Sequence, residues 1–372
     1  VRIPRDVTPA AGDAAATLAE EARVSTPGSQ ERADVEYVLE FARRHGGSAA
    51  AGRRATVERA LRTNAWWYAT RAAPRRRTLL VDQDGIIYTY RRGHGFAVNP
   101  VATTGRWRGL NDDVPPERLA ETLLPLGVER RVGDREYLAW EYFDVGDDPG
   151  AVRPGLSGMA QGRMAELMAT AYRRTGDARF AAAARQALAA FTVSVDEGGV
   201  RSMVAHPLGR SPSPWYVERA YPGEDPWKGA ALNGFMVAVL NLRGTSAQLG
   251  AAAAEQASAA STAASPDSPS PAPPAGVADA QAGSDLARRL SDAGAETLER
   301  YLPLHDSGSW SYYGLLTPGR PWRTYLADLN YHCYHIALLR RLAELYPERA
   351  FMATAERWQG YVDAAGRVCP PR

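Results

Sequence analysis

The spacing of apolar residues divides the chain into helical and extended stretches. Residues 1–33 are polar, Ala-rich and broken by Pro and Gly, and read as a loose leader or a weak helix. From Asp34 the pattern turns helical, with Val38, Leu39 and Ala42 on one face. A Gly/Ala-rich break from Gly46 to Gly52 precedes a second helix starting at Ala55, where Val57, Ala60, Leu61, Ala65 and Trp66 recur at helical spacing. The pair Trp66–Trp67 is predicted to anchor in a core. Leu79 to Tyr90 is β-rich, and Asp84-Gly85 between its two apolar runs predicts a hairpin turn. Arg91 to Trp107 predicts loop, Leu119 to Leu126 helix, and Tyr137 to Phe143 an extended segment closed by Asp147-Asp148-Pro149-Gly150.

The next block carries the clearest helical signal. Ser157 is a candidate N-cap for a helix through Tyr172 that turns Met159, Met164, Leu167, Met168 and Ala171 inward. Thr175-Gly176-Asp177 ends it and starts another, because Gly suits the left-handed position past a helix end and Asp suits an N-cap. Leu345 to Phe351 repeats this turn later in the chain. Helices paired in this way build either a solenoid or a closed α/α barrel, and the absence of a strict period favours the barrel. Between them lie a short strand, Val200 to Ala205, a Pro- and aromatic-rich loop from Pro207 to Trp227, and a buried helix from Leu232 to Leu242. Residues 244–284 are rich in Ala, Ser and Pro and nearly free of aromatics, which predicts a disordered insertion before helix resumes at Leu286 and runs to Tyr301. The tail from Ala365 is predicted to fray.

Composition adds limits. The chain has 372 residues, 45% apolar and 23% charged, an ordinary balance for a globular protein with a substantial core. A net charge of +2 gives no argument for nucleic acid as a partner. Lys228 is the only lysine; the Arg-rich remainder reflects coding bias, so Arg75–Arg77 carries little functional weight. The two cysteines, Cys333 and Cys369, form neither a disulfide framework nor a metal set. No apolar run is long enough for a transmembrane helix, and no signal-peptide pattern follows Val1.

Asp306 to His335 packs seven Tyr or Trp rings and two His around a Gly-containing loop. Flat apolar faces with polar tips suit sugar rings, although packing beneath a long loop accounts for the same composition. Four clusters hold candidate chemistry. Gly158-Met159-Ala160-Gln161-Gly162 lets a ligand approach a helix start, or simply another helix. In Trp215-Tyr216-Val217-Glu218-Arg219-Ala220-Tyr221, an acid sits among rings, where desolvation raises its pKa unless Arg219 offsets it. Asp306-Ser307-Gly308-Ser309 precedes Tyr312 and Tyr313. Asn330 to His335 places His332 and His335 at i, i+3, but without the HExxH carboxylate, so hydrogen bonding within a helical core is preferred to a metal site.

In this order the clusters resemble the D-glucuronyl C5-epimerase family. The likeness rests on GLSGMAQGRM (Gly155–Met164), YRRTGDARF (Tyr172–Phe180), DEGGV (Asp196–Val200), WYVE (Trp215–Glu218), LNGFM (Leu232–Met236), the Leu302–Tyr313 stretch, LNYHCYHI (Leu329–Ile336), and Trp358 with Tyr361. It runs from about residue 150 to 362 and is fainter near Asp84 and Asn99-Pro100. The resemblance implies a mainly α fold, an α/α barrel or incomplete toroid of helical hairpins, with a small antiparallel β-region. Residues 1–75 would form a leader and two helices packing on it, and 76–372 the epimerase-like domain interrupted by 244–284. It further implies Glu218, Tyr331 and Tyr313 as catalytic residues. Gln161, Tyr216, Tyr221, Arg323, His335 and Asn233 are candidate substrate contacts. The family places a tyrosine directly after the acid; here Arg219 and Ala220 intervene before Tyr221.

Inverting C5 of a hexuronate removes a weakly acidic C–H beside a carboxylate and returns a proton to the opposite face, so two acid/base groups are required. A phenol needs a nearby cation to act as a base, for which Arg219 and Arg323 are candidates. The enolate needs donors at its carboxylate; Arg323, Gln161, Tyr313 and His335 are candidates. No redox cofactor or metal is required, and no ligand set for a structural calcium is readable. The implied partner is an acidic, heparosan-like polysaccharide; a homodimer stays open, and the substrate class favours an extracytoplasmic or cell-envelope location. The same first step serves a polysaccharide lyase, two carboxylates such as Glu218 with Asp306 or Asp328 would serve a glycoside hydrolase, and a non-catalytic glycan-binding protein is the remaining alternative.

Overall fold

The computed structural model describes residues 1–4, 11–75, 78–143, 154–205, 211–225, 230–263, 276–314 and 325–371, which form two compact units, Val1–Gly155 and Leu156–Arg372. The protein is mainly helical with small antiparallel sheets. Among the described residues, no helix is long and apolar enough to cross a membrane.

In the first unit α1 (Ala11–Val24), α2 (Gln30–His45) and α3 (Ala51–Tyr68) precede a three-stranded antiparallel sheet of β1 (Leu79–Val81), β2 (Ile87–Arg91) and β3 (Gly95–Val98). Then follow α4 (Pro100–Thr104), α5 (Pro116–Leu123) and a hairpin of β4 (Val128–Val132) and β5 (Arg135–Ala139). The β1–β2 turn holds because Gly85 takes a φ of 87° and the Asp82 carboxylate accepts from the Asp84 and Ile86 N–H groups. A buried carboxylate ties the helices to the sheet: Asp34 of α2 accepts from the Tyr68 hydroxyl at 2.7 Å and the Tyr90 hydroxyl at 2.8 Å. Trp66 and Trp67 are buried as predicted.

Two stretches of this unit are more ordered than their composition suggests. The leader contains α1, whose Ala14 and Leu18 are fully buried. The segment expected as loop forms β3 and α4, since Asn99 accepts from the Ala102 N–H and Pro100 occupies the first helical turn.

The second unit is built of helical hairpins. Its elements are α6 (Gly158–Thr175), α7 (Ala178–Ala189), the strands β6 (Arg201–Val204) and β7 (Ser213–Tyr216), α8 (Leu232–Ala263), α9 (Val277–Tyr301), α10 (Leu329–Leu345) and α11 (Phe351–Ala364). The strand β7 arises within the stretch read as loop and pairs antiparallel with β6. Ser157 caps α6 by accepting from Ala160 N–H, Gly176 ends it at φ 72°, and Asp177 caps α7. Met159, Met164, Met168 and Ala171 are buried, while Leu167 is only half-buried.

The stretch expected to be a disordered insertion is helical as far as Ala263 and again from Val277; residues 264–275 lie outside the described residues. Small side chains are the reason. Leu249, Ala252 and Ala253 are buried, a Cβ at Gly283 would lie 2.8 Å from a Leu249 methyl, and Ser284 donates to the Ser246 carbonyl at 2.9 Å. Alanine, serine and glycine here form a close helix–helix seam, which compositional reasoning mistakes for a lack of core. The tail does not fray either: Cys369 is disulfide-bonded to Cys333 of α10.

Candidate active site

The acid comes first, because the chain fixes its backbone on both sides. Glu218 lies two residues past the end of β7. Val217 N–H donates to the Val200 carbonyl, Gly158 N–H donates to the Val217 carbonyl, and Ala220 and Leu156 exchange backbone hydrogen bonds. The acid is therefore tied to the start of α6. Its side chain lies against α8: a Cβ added at Gly234 would come within 2.5 Å of Glu218 Oε2. The glycine of the Leu232–Met236 motif is what admits the carboxyl group.

Tyr313 meets the same region from another element. Its carbonyl accepts from Leu232 N–H, the first residue of α8, at 2.9 Å, and its N–H donates to the Tyr325 carbonyl at 3.1 Å. Its ring stacks on Tyr325 at 5.3 Å between centroids and meets Tyr331 edge to face at 4.7 Å. Tyr331 sits in the first turn of α10, where the N-cap Asp328 accepts its N–H, and is 41% exposed. Burial first, then the charge of Glu218 and the neighbouring Tyr331 and Tyr325, push the Tyr313 hydroxyl well above the ordinary phenol range. Tyr313 is thus held as a neutral phenol in contact with the fields of both the acid and Tyr331. Tyr325, itself raised by burial and by Tyr331 and Glu218, closes the group. Glu218 from the segment after β7, Tyr313 and Tyr325 from before α10, and Tyr331 from its first turn thus make one cluster of a carboxyl and phenols against the start of α8.

A second polar cluster lies on the other side of α10. His332 is stacked on Trp310 at 3.9 Å, its Nδ1 lies 2.7 Å from Ser311 Oγ, and its Nε2 lies 3.1 Å from the Trp358 carbonyl. His335 Nδ1 lies 2.9 Å from the same Ser311 Oγ, and both rings are fully buried. Burial holds the His332 ring below the usual imidazole range. Asp306 accepts from the Gly308 N–H, Trp358 Nε1, Arg357 Nε and the Tyr361 hydroxyl. Burial works against its charge, but those donors keep its carboxyl below the usual carboxylate range. The late Trp358–Tyr361 motif is thereby explained as a clamp on the 306–312 loop. Among the described residues, no group of three or more His, Cys, Asp or Glu is placed to hold a metal ion.

The remaining sequence candidates divide sharply. Gln161 is 1% exposed and donates to the Ala187 carbonyl; Tyr216 is 1% exposed and donates to the Leu290 carbonyl at 2.7 Å. Gln161 Nε2, the Tyr216 hydroxyl and His335 Nδ1 thus have interior partners. Tyr221 is buried as well, at 3% exposure. Asn233 precedes the glycine that faces Glu218, and its buried Oδ1 has no hydrogen-bond partner among the described residues. Arg323 lies outside the described residues.

Residues 137–360, more than half of the chain, match the D-glucuronyl C5-epimerase C-terminus family. The chain belongs to that family. A D-glucuronyl C5-epimerase of Caenorhabditis elegans is 28% identical over 205 residues, covering 55% of this chain and 28% of the worm protein. The chain thus matches a little over a quarter of that relative's length. The family match over residues 137–360 includes the Glu218, Tyr313 and Tyr331 segments, and the fold brings these three into one cluster from separate elements.

Sequence reasoning gave no individual role to four polar side chains around this cluster: Arg163, Glu166, Tyr325 and Tyr334. Arg163 stands inside the Gly155–Met164 motif, and its i, i+3 spacing from Glu166 was readable as a helical pair. The abundance of arginine in the chain masked it.

Proposed function

We propose that this chain epimerises uronate residues of an acidic polysaccharide at C5, of the glucuronate-to-iduronate type, without a redox cofactor or metal. The observation that carries this reading is the convergence of Glu218, Tyr313 and Tyr331 on one cluster, in a chain of the epimerase family. With a sugar ring seated among them, Glu218 as carboxylate takes the C5 proton from one face. The exposed Tyr331 hydroxyl delivers a proton to the other face, and in the reverse direction the two exchange roles. Tyr313, kept neutral by burial and by the Glu218 charge, retains its hydrogen and donates it to the carboxylate oxygens on which enolate charge accumulates. Phenol rings at the rim supply flat faces for sugar rings. The Cys333–Cys369 disulfide supports maturation in an oxidising, extracytoplasmic compartment.

Incubation with heparosan-like and other uronic polymers in heavy water, read by proton NMR, tests this directly. Deuterium at C5 with new iduronate-type signals is the expected result. An unsaturated uronate absorbing in the ultraviolet would make the protein a lyase instead, and new reducing ends without unsaturation a hydrolase. Glu218→Gln and Tyr331→Phe should each lower exchange by at least about 100-fold, with melting temperatures near wild type. Exchange that survives both substitutions overturns the assignment of the pair.

A further inference from the structure

We infer that Arg163 is the positioning cation of this site, a guanidinium set between Glu218 and Tyr334 that keeps the Glu218 carboxyl ionised and fixes its direction. Its catalytic consequence rests on the function proposed above; its effect on Glu218 does not.

The placement follows from helix packing. On α6, Arg163 is one turn before Glu166. Next to Arg163, Gly162 brings α6 against α8: a Cβ there would sit at ordinary van der Waals distance, 3.5 Å, from Ala238 Cα and from Asn241 Cβ. Two glycines of α8 open that seam to carboxyl groups. A Cβ at Gly234 would meet Glu218 Oε2 at 2.5 Å, and one at Gly244 would meet Glu166 Oε1 at 2.1 Å. From α10, Tyr334 and Arg341 sit two helical turns apart and therefore share a face. The guanidinium of Arg163 hydrogen-bonds to Tyr334 and lies in the fields of Glu218 and Glu166, and Glu166 in turn lies in the fields of Arg341 and Arg163. The row reads Glu218, Arg163 with Tyr334, Glu166, Arg341, with alternating charge.

Such a row has a chemical use. A guanidinium stays protonated even when burial opposes its charge, so Arg163 is a permanent positive charge beside the acid. It hydrogen-bonds to Tyr334 and lies in the fields of two carboxyls. An anionic substrate raises the cost of ionising Glu218, and a fixed cation on the protein side offsets that cost. Glu166 adjusts the effect: burial pushes its carboxyl up to about 7, against the pull of Arg341 and Arg163. Below that pH the whole field of Arg163 falls on Glu218; above it Glu166 shares the cation. Arg163, Tyr313 and Tyr325 lie in the field of Glu218, with Tyr331 packed against Tyr313, and Arg163 also faces Tyr334 and Glu166.

The test is a carbon-13 NMR titration of the full chain labelled at glutamate carboxyls, with the Glu218 signal assigned from Glu218→Gln. Replacing Arg163 by Gln should raise the Glu218 midpoint by about one pH unit, and Arg163→Lys should restore most of the difference. Tyr334→Phe, which frees the guanidinium, should move the midpoint the same way by less. An unchanged midpoint in a folded Arg163→Gln protein overturns the inference. Should that variant fail to fold, an unchanged midpoint in Tyr334→Phe overturns it. In the C5 exchange assay, the acid limb of kcat/KM should move with the midpoint while KM stays within about threefold. A tenfold rise in KM with an unmoved pH profile would make Arg163 a substrate contact and also overturn the assignment. Absence of exchange by the wild type sinks the proposed function, and the titration then still decides the role of Arg163.

Discussion

The two faces of α10 start from the same short motif and end in opposite conditions. Tyr331 and Tyr334 turn to the Glu218 side, where Tyr331 is 41% exposed and the phenols are grouped around a carboxyl. His332 and His335 turn to the Ser311 side, where both are fully buried against a serine and tryptophans. Sequence composition treats all four as candidates for chemistry. Geometry separates them: one face leaves Tyr331 exposed and sets Tyr334 against Arg163, and the other spends its polar atoms on holding the loop that carries Tyr313. A buried, bonded imidazole stabilises a structure, and an accessible hydroxyl beside a carboxyl can exchange a proton. The lesson is that the His pair serves the site by fixing the 311–313 segment.

Variants can break or sharpen this contrast. The largest effect is expected on the open face, where Tyr331→Phe should lower C5 exchange by at least about 100-fold and leave stability alone. On the closed face the expected signature is reversed. Cys369→Ser opens the link to Cys333, whose sequence separation is 36 residues, and loop-closure entropy of that size is worth roughly 3 to 4 kcal/mol. Urea unfolding should show that loss, while exchange per folded molecule stays near wild type; a selective loss of exchange would mean that the tail shapes the open face. Asp306→Asn weakens a carboxylate held by four donors and should cost about 2 to 3 kcal/mol, a drop of roughly 4 to 12 °C in melting temperature. Calorimetry against exchange rates decides whether its effect is on stability.

The smallest effect is a pH slope. Burial pushes the His305 imidazole down to about 4, so the folded protein keeps it neutral where the unfolded chain takes up a proton. Its contribution is complete above about pH 6.5 and is lost as pH falls toward 4. The difference in melting temperature between wild type and His305→Gln should therefore shrink with acidification over that window. A difference that stays flat would show that His305 is not buried as a neutral ring.

Legibility in the sequence followed physical range. Helix starts and stops at Ser157, Gly176 and Asp177 were readable because capping acts over a few residues. The hairpin at Asp84-Gly85 was readable for the same reason. The seam between α8 and α9 was not, since alanine, serine and glycine gain value only when a second helix approaches closely enough to use their small size. Tyr216 and Gln161 illustrate the converse: their motif context suggested substrate contact, and interior carbonyl partners claimed their polar atoms.

The chain's order of residues, by itself, determined the capped helix ends at Ser157, Gly176 and Asp177, that helices pair as hairpins, and which family they belong to, because periodicity, caps and collinear motifs are local properties. Only the folded molecule decided which side of α10 faces Glu218, that Cys333 meets Cys369, and that Arg163 lies in the field of Glu218. Those outcomes depend on burial and Coulomb interactions between residues far apart in the chain, which fall off with distance in space and carry no trace in sequence spacing.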